Sequence, residues 1–260
     1  MAAALFFLVL IAPKGLAAVV YGSLMAVGTY ELLYGTGLVR HTRLVLYSCG
    51  MAFMVTMWSF YNAIHAYLLL LLLVFAVVLF TEMMLDHVKV RFEELCACFF
   101  AGFVVPYLLC AVIRILVLTI GRYVVLVPFA IACLSDAGAY FVGINFGRHK
   151  LAPVVSPNKT IEGMLGGIAT AIVGMLIYSL VLDLAFDFTV NYGLAILYGI
   201  FGAIAGVFGD LCFSIIKRQT GIKDYGNLIP GHGGILDRFD SMMTVAPLVE
   251  ALLIIAPFAV

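Results

Sequence analysis

Residues 209 to 241 read GDLCFSIIKRQTGIKDYGNLIPGHGGILDRFDS. Asp210 and Asp237 stand near its two ends, with Lys217, Arg218, Lys223 and Arg238 interleaved among them and two further acids, Asp224 and Asp240. These eight belong to a total of only 28 charged residues, and Glu250 follows just beyond. Cations, carboxylates and glycines in one block point to phosphate and a metal. Asp210 and Asp237 are too far apart for one helix face, but a helix followed by a returning loop can bring both to one cation. Mg²⁺ suits such a pair, because it takes one or two carboxylates and fills its shell with water and phosphate oxygens. No HExxH or other zinc pattern competes for the role.

Gly231 to Gly234 read GHGG. Without bulky side chains at three of four positions, Gly233 and Gly234 let backbone N–H groups approach an anion, or simply make a tight turn after Pro230. His232 either donates to a phosphate, assists proton transfer or fixes that turn. A second polar stretch, RHKLAPVVSPNKTIEG, runs from 148 to 163. Pro157 restrains Ser156 to extended geometry, and Thr160 and Glu162 suit the start of the next helix. Lys159 reads as a phosphate contact. Neither a Walker GxxxxGK[ST] loop nor a Rossmann GxGxxG is present, so nucleotide binding here needs another architecture.

The elements that must position these residues are apolar. Charged residues make up 11% of the 260 residues and hydrophobic ones 65%, against about 25% charged in a soluble domain. Runs of membrane-crossing length fall at about 16 to 34, 43 to 61, 63 to 81, 95 to 119, 122 to 147, 161 to 182, 190 to 212 and 242 to 260, after a short run at 2 to 12. The expectation is an all-α, polytopic integral membrane bundle of eight or nine transmembrane helices. The opening run lacks a basic leader and is followed by Lys14, so it reads as a short membrane segment rather than a cleaved signal peptide.

Eleven of the 14 cations fall on alternate connections: Arg40 and Arg43; Lys89 and Arg91; Arg148, Lys150 and Lys159; Lys217, Arg218, Lys223 and Arg238. The positive-inside rule then puts the N-terminus and the polar block in the cytoplasm. The net charge of zero gives no field directed at nucleic acid. The six cysteines, in apolar runs without CxxC spacing, read as packed hydrophobes. Glycines four apart (Gly143 and Gly147, Gly163 and Gly167, Gly202 and Gly206) predict close helix packing. Glu31, Asp136, Asp210 and Glu250 lie in or near spans, where a charge is costly and needs a partner or a cavity. For Glu31 and Glu250, a helix-end position or an internal hydrogen bond suffices.

Ser214, Lys217, Arg218, Lys223, Asp224, Pro230, Gly231, His232, Gly233, Gly234, Asp237, Arg238 and Asp240 fill, in register, the pattern S-x-x-K-R-x(4)-K-D-x(5)-P-G-H-G-G-x-x-D-R-x-D. On these residues the chain resembles the phosphatidate cytidylyltransferases, or CDP-diacylglycerol synthases. Asp136, Ala139, Tyr140, Gly143 and Gly147 are similar to that family's D-x-x-A-Y-x-x-G-x-x-x-G, and Ser156, Pro157, Lys159, Thr160, Glu162 and Gly163 to its S-P-x-K-T-x-E-G. The resemblance covers about residues 95 to 260, a catalytic membrane region with loops at 148 to 160 and 213 to 241. Residues 1 to 94 match only as hydrophobic helices for packing or dimerisation. Phe213 departs from the pattern, where the family more often has glutamate.

The resemblance implies transfer of CMP from CTP to phosphatidate, giving CDP-diacylglycerol and pyrophosphate, in a bacterial-type inner membrane protein that is often dimeric. It implies Mg²⁺ held by Asp210 and Asp237, with room for a second, monovalent cation. It implies Lys217, Arg218 and His232 at the reacting phosphates. Substrate contacts fall to Ser156, Lys159, Thr160, Ser214, Lys223, Asp224, Gly233, Gly234 and Arg238. The rival readings are a CTP-dependent transferase for another lipid phosphate and, from a different class, an ion or solute transporter with acids in its membrane pathway.

Overall fold

A computed structural model describes residues 12–61, 64–226 and 233–260. The run expected at 2 to 12 lies outside them but for Ala12, as do Pro230, Gly231 and His232. Among the described residues, seven helical stretches are long and apolar enough to cross a membrane. With an eighth, shorter apolar helix and one small hairpin, they make the expected all-α polytopic architecture, that of an integral membrane protein.

The chain divides into two compact units, Met1–Val117 with Lys217–Phe239, and Leu118–Ile216 with Asp240–Val260. In the first, α1 (Lys14–Tyr30) ends in a π-helical turn, Glu31–Gly35, and packs along α2 (Thr42–Tyr61). Helix α3 (His65–Leu85) buries only Phe75 and Leu79, as befits a helix whose solvent is lipid. The next span runs through α4 (Phe92–Phe99), a π-helical turn at Phe100–Val104, α5 (Val105–Leu109) and α6 (Ala111–Val117). Pro106 lacks an N–H for the ladder, and the wider turn just before it accommodates that loss.

Several polar groups in these helices are satisfied by carbonyls of neighbouring helices, as hydrocarbon favours. Tyr21 Oη donates to the Leu109 carbonyl at 2.9 Å and Thr29 Oγ1 to that of Ala101 at 2.9 Å. Arg114 donates to Ser59 Oγ at 3.2 Å and to the Tyr107 carbonyl at 3.0 Å, with its guanidinium 4.6 Å from the Tyr107 ring centre.

In the second unit a short helix α7 (Gly121–Val124) leads into α8 (Val127–Phe146). Strands β1 (Lys150–Ala152) and β2 (Ser156–Thr160) form an antiparallel hairpin with Lys150 opposite Thr160 and Ala152 opposite Ser156. Helix α9 (Ile161–Phe186) returns alongside α8, α10 (Tyr192–Gln219) follows, and α11 (Met242–Ile255) closes the unit. Glycine permits the approach of α8 and α9. A Cβ on Gly163 would lie 2.7 Å from the Ala139 carbonyl oxygen, and one on Gly167 would lie 2.6 Å from that of Ser135. The packing expected of the Gly163 and Gly167 pair is therefore observed as backbone-to-backbone contact.

Two expected boundaries move. The span expected to end at 212 continues to Gln219, so Ser214, Lys217 and Arg218 are helical and not in a loop. At 1.5 Å per residue its 28 residues reach about 42 Å, beyond a hydrocarbon layer about 30 Å thick. Lys217 and Arg218 in its last turn complement the negative end of the helix. The last helix stops at Ile255 where a span to 260 was expected.

The Gly167 contact gives a stability test. Gly167→Ala should lower the stability of detergent-purified protein by about 1–3 kcal/mol, because the clash is with main chain and α8 or α9 must shift. Gly50→Ala, on exposed α2 surface with nothing within 4 Å, should be neutral or slightly stabilising. Thermal unfolding followed by circular dichroism checks both.

Candidate functional site

In the second unit, the polar residues of the hairpin and of α8 to α10 surround a pocket of about 250 Å³. Asp136, Tyr140, Lys159, Thr160 and Asp210 are among its lining residues. Lys159, on β2, places Nζ 2.5 Å from Asp210 Oδ2, and Ser214, one turn further along α10, donates from Oγ to Asp210 Oδ1 at 3.2 Å. Both ion-pair partners remain about a quarter exposed, so the pair faces the pocket instead of being sealed in the core. An anion could reach the ammonium and a cation the carboxylate.

The hairpin is held to α8 and α9 from both ends. Thr160 Oγ1 accepts from the Gly163 N–H at 3.1 Å, which is the N-cap of α9. The capping role expected of Thr160 is thus observed, and its hydroxyl oxygen serves the helix end. Glu162 reaches back to the turn after α8, accepting from the N–H of Arg148 at 3.1 Å and of His149 at 3.2 Å, with His149 Nδ1 at 2.6 Å. Ser156, opposite Ala152 in the hairpin, is not among the residues lining the pocket.

In the first unit, Asp237 sits in a short 3-10 turn, Leu236–Arg238. Its Oδ2 accepts from the Tyr225 N–H at 2.9 Å and the Gly234 N–H at 3.0 Å, and its Oδ1 takes Lys217 Nζ at 3.0 Å. Lys217 also lies 5.5 Å from the Tyr225 ring centre. Gly233 adopts φ +78°, which a side chain would strain, and a Cβ there would lie 3.3 Å from Asp237 Oδ2. One oxygen of Asp237 therefore fixes the loop while the other faces a cationic group. Arg218, Lys223, Asp224 and Arg238 are exposed. Phe213 is fully buried, so the position that departs from the motif serves packing in this chain.

The two carboxylates expected to share a metal belong to different compact units, Asp210 to the second and Asp237 to the first. Among the described residues no group of three or more His, Cys, Asp or Glu side chains gathers around one point. A Mg²⁺ site needs no such group, since one or two carboxylates and phosphate oxygens suffice. His232 lies outside the described residues.

The sequence marks Glu31 only as an acid in or near a span, and Asp136 both as such an acid and as the first residue of the D-x-x-A-Y pattern, without a role for either. Asp136 proves to line the pocket of Lys159 and Asp210. Glu31 is buried, with its carboxylate on the N–H groups of Ile235 and Leu236. The signal that marks both is an acid in an apolar run.

The cytidylyltransferase family profile matches residues 1–256. The chain is 48% identical over 134 residues to the phosphatidate cytidylyltransferase of Staphylococcus haemolyticus, covering 52% of this chain and 50% of the relative. Over the same shares it is 46% identical to that of Staphylococcus saprophyticus and 45% identical to that of Staphylococcus aureus strain COL. The alignment spans about half the length of these curated relatives.

The cap on α9 can be tested apart from any activity. Thr160→Val keeps the shape but removes the acceptor, and should cost about 1 kcal/mol in thermal unfolding of the purified protein. Thr160→Ser should restore it.

Proposed function

The chain belongs to the cytidylyltransferase family, and from that premise we propose that it is a phosphatidate cytidylyltransferase, transferring CMP from CTP to phosphatidate to yield CDP-diacylglycerol and pyrophosphate. The relatives that share 45–48% identity carry that name. The observation that carries the reading is that the motif residues are folded as facing pairs of opposite charge, Lys159 on Asp210 and Lys217 on Asp237, within each unit. Such pairs suit a reaction in which phosphate and metal must both be held.

A phosphate oxygen of phosphatidate attacks the α-phosphorus of CTP. The new P–O bond forms as the bond to the bridging oxygen of the β-phosphate breaks, and pyrophosphate carries away the electron pair. The attacking phosphate is already ionised near neutral pH, so no side chain need remove a proton first. Both reactants are anions, and the work of the protein is positioning and charge compensation. Lys159, Lys217, Arg218, Lys223 and Arg238 would hold phosphates, and Ser214 would orient Asp210.

Asp210 and Asp237 are the residues that would hold Mg²⁺. Their suitability is supported by hard oxygen donors that each face an ammonium group in this structure, Asp210 through Oδ2 and Asp237 through Oδ1. When bound, Mg²⁺ supplies neutralisation of charge on the triphosphate. The reading that this chemistry occurs at the cytoplasmic face of the cytoplasmic membrane is supported by the cationic connections, through the positive-inside rule.

The test is incubation of the detergent-purified protein with phosphatidate and each of the four nucleoside triphosphates, with and without Mg²⁺, following pyrophosphate and liponucleotide. Turnover should require CTP and Mg²⁺. Asp237→Asn and Asp210→Asn should each lower it by at least about 100-fold while leaving yield and elution from a sizing column unchanged. Wild-type turnover by Asp237→Asn across a Mg²⁺ titration would remove that acid from the metal site.

A further inference from the structure

Glu31 lies outside every motif above, at the end of α1, 204 and 205 residues from its partners in the chain. It is 5% exposed, and both carboxylate oxygens are engaged: Oε1 accepts from the Ile235 N–H at 3.1 Å and Oε2 from the Leu236 N–H at 3.0 Å. Those two N–H groups stand at the start of the Leu236–Arg238 turn, where no preceding helical carbonyl can take them. Glu31 is therefore the acceptor at the head of the turn that carries Asp237.

The loop is shaped around this carboxylate. A Cβ on Gly226 would lie 2.5 Å from Glu31 Oε1, and one on Gly234 would lie 2.6 Å from Oε2. One on Gly35, at the end of the π-helical turn that Glu31 opens, would lie 2.5 Å from the Tyr225 carbonyl oxygen. Tyr225 and Gly234 are the residues whose N–H groups bind Asp237 Oδ2. Two carboxylates thus share one loop, Glu31 holding it from the α1 side and Asp237 from within.

We propose that Glu31 is a positioning residue that acts through the main chain of Ile235 and Leu236 to set Asp237, leaving its Oδ1 directed at a cation. The proposal rests on the reading of Asp237 as a working acid of the cytidylyl transfer. It assigns a task to the N-terminal helices, which the motifs leave to packing or dimerisation. Glutamine at this position keeps the size but turns one acceptor into an N–H donor facing another N–H. Aspartate keeps the charge and falls short by one methylene.

The experiment compares wild type with Glu31→Gln, Glu31→Asp and Glu31→Ala in detergent by hydrogen–deuterium exchange and by steady-state kinetics. In Glu31→Gln and Glu31→Ala, peptides containing 225–226 and 234–237 should exchange about tenfold faster or more, with transmembrane peptides at wild-type rates. Turnover should fall about 10- to 100-fold, and the Mg²⁺ concentration for half-maximal rate should rise. Glu31→Asp should fall between wild type and Glu31→Gln on all three measures.

Wild-type exchange at the loop in both Glu31→Gln and Glu31→Ala overturns the proposal. So does exchange that rises equally in every helix, the mark of general unfolding, or loop exchange that rises while turnover and Mg²⁺ dependence stay at wild-type values. A wild-type protein that makes no liponucleotide refutes the cytidylyltransferase reading instead, and the exchange comparison still decides whether Glu31 holds the loop.

Discussion

Asp237 divides its two oxygens between structure and charge. Oδ2 closes the loop on the main chain of Tyr225 and Gly234, and Oδ1 meets the ammonium of Lys217. A carboxylate as buried as that of Asp237 needs donors around it in place of water. That requirement explains the glycines at 226, 233 and 234: main-chain N–H groups can crowd a carboxylate only where side chains stand aside. Lys217, one cation of the polar block, answers the same requirement at Oδ1.

Small residues do comparable work for the other acid. Gly163 and Gly167 let α9 lie against the main chain of α8, and Thr160 caps α9 immediately after β2. Lys159 therefore occupies a rigid place one residue before a capped helix, and its ammonium meets Asp210 without a flexible loop between. Removal of water-like freedom from a lysine side chain is entropically costly.

The spans were legible because membrane-crossing runs must be long and apolar, and six of the seven among the described residues fall within about four residues of the expected bounds. The signature residues were legible because polar groups are rare in such a chain. The continuation of α10 to Gln219 was not, since Ser214, Lys217 and Arg218 look like a loop by hydropathy although nothing in them breaks a helix. The β1–β2 hairpin was hidden by its proline and its brevity. Glu31 shows the deeper limit: its partners are more than 200 positions away, and no local period or spacing announces a main-chain hydrogen bond. Asp136 was visible as a costly acid, while the pocket it lines with Lys159 became visible only in three dimensions.

The lysine pairs have one more consequence. At rest, Asp210 is balanced by Lys159 and Asp237 by Lys217. A cation docking on either carboxylate would displace an ammonium, and the displaced ammonium would then be ready for an anion at the same spot. Arrival of positive and negative guests would thereby be linked by electroneutrality, each improving the reception of the other in equal measure.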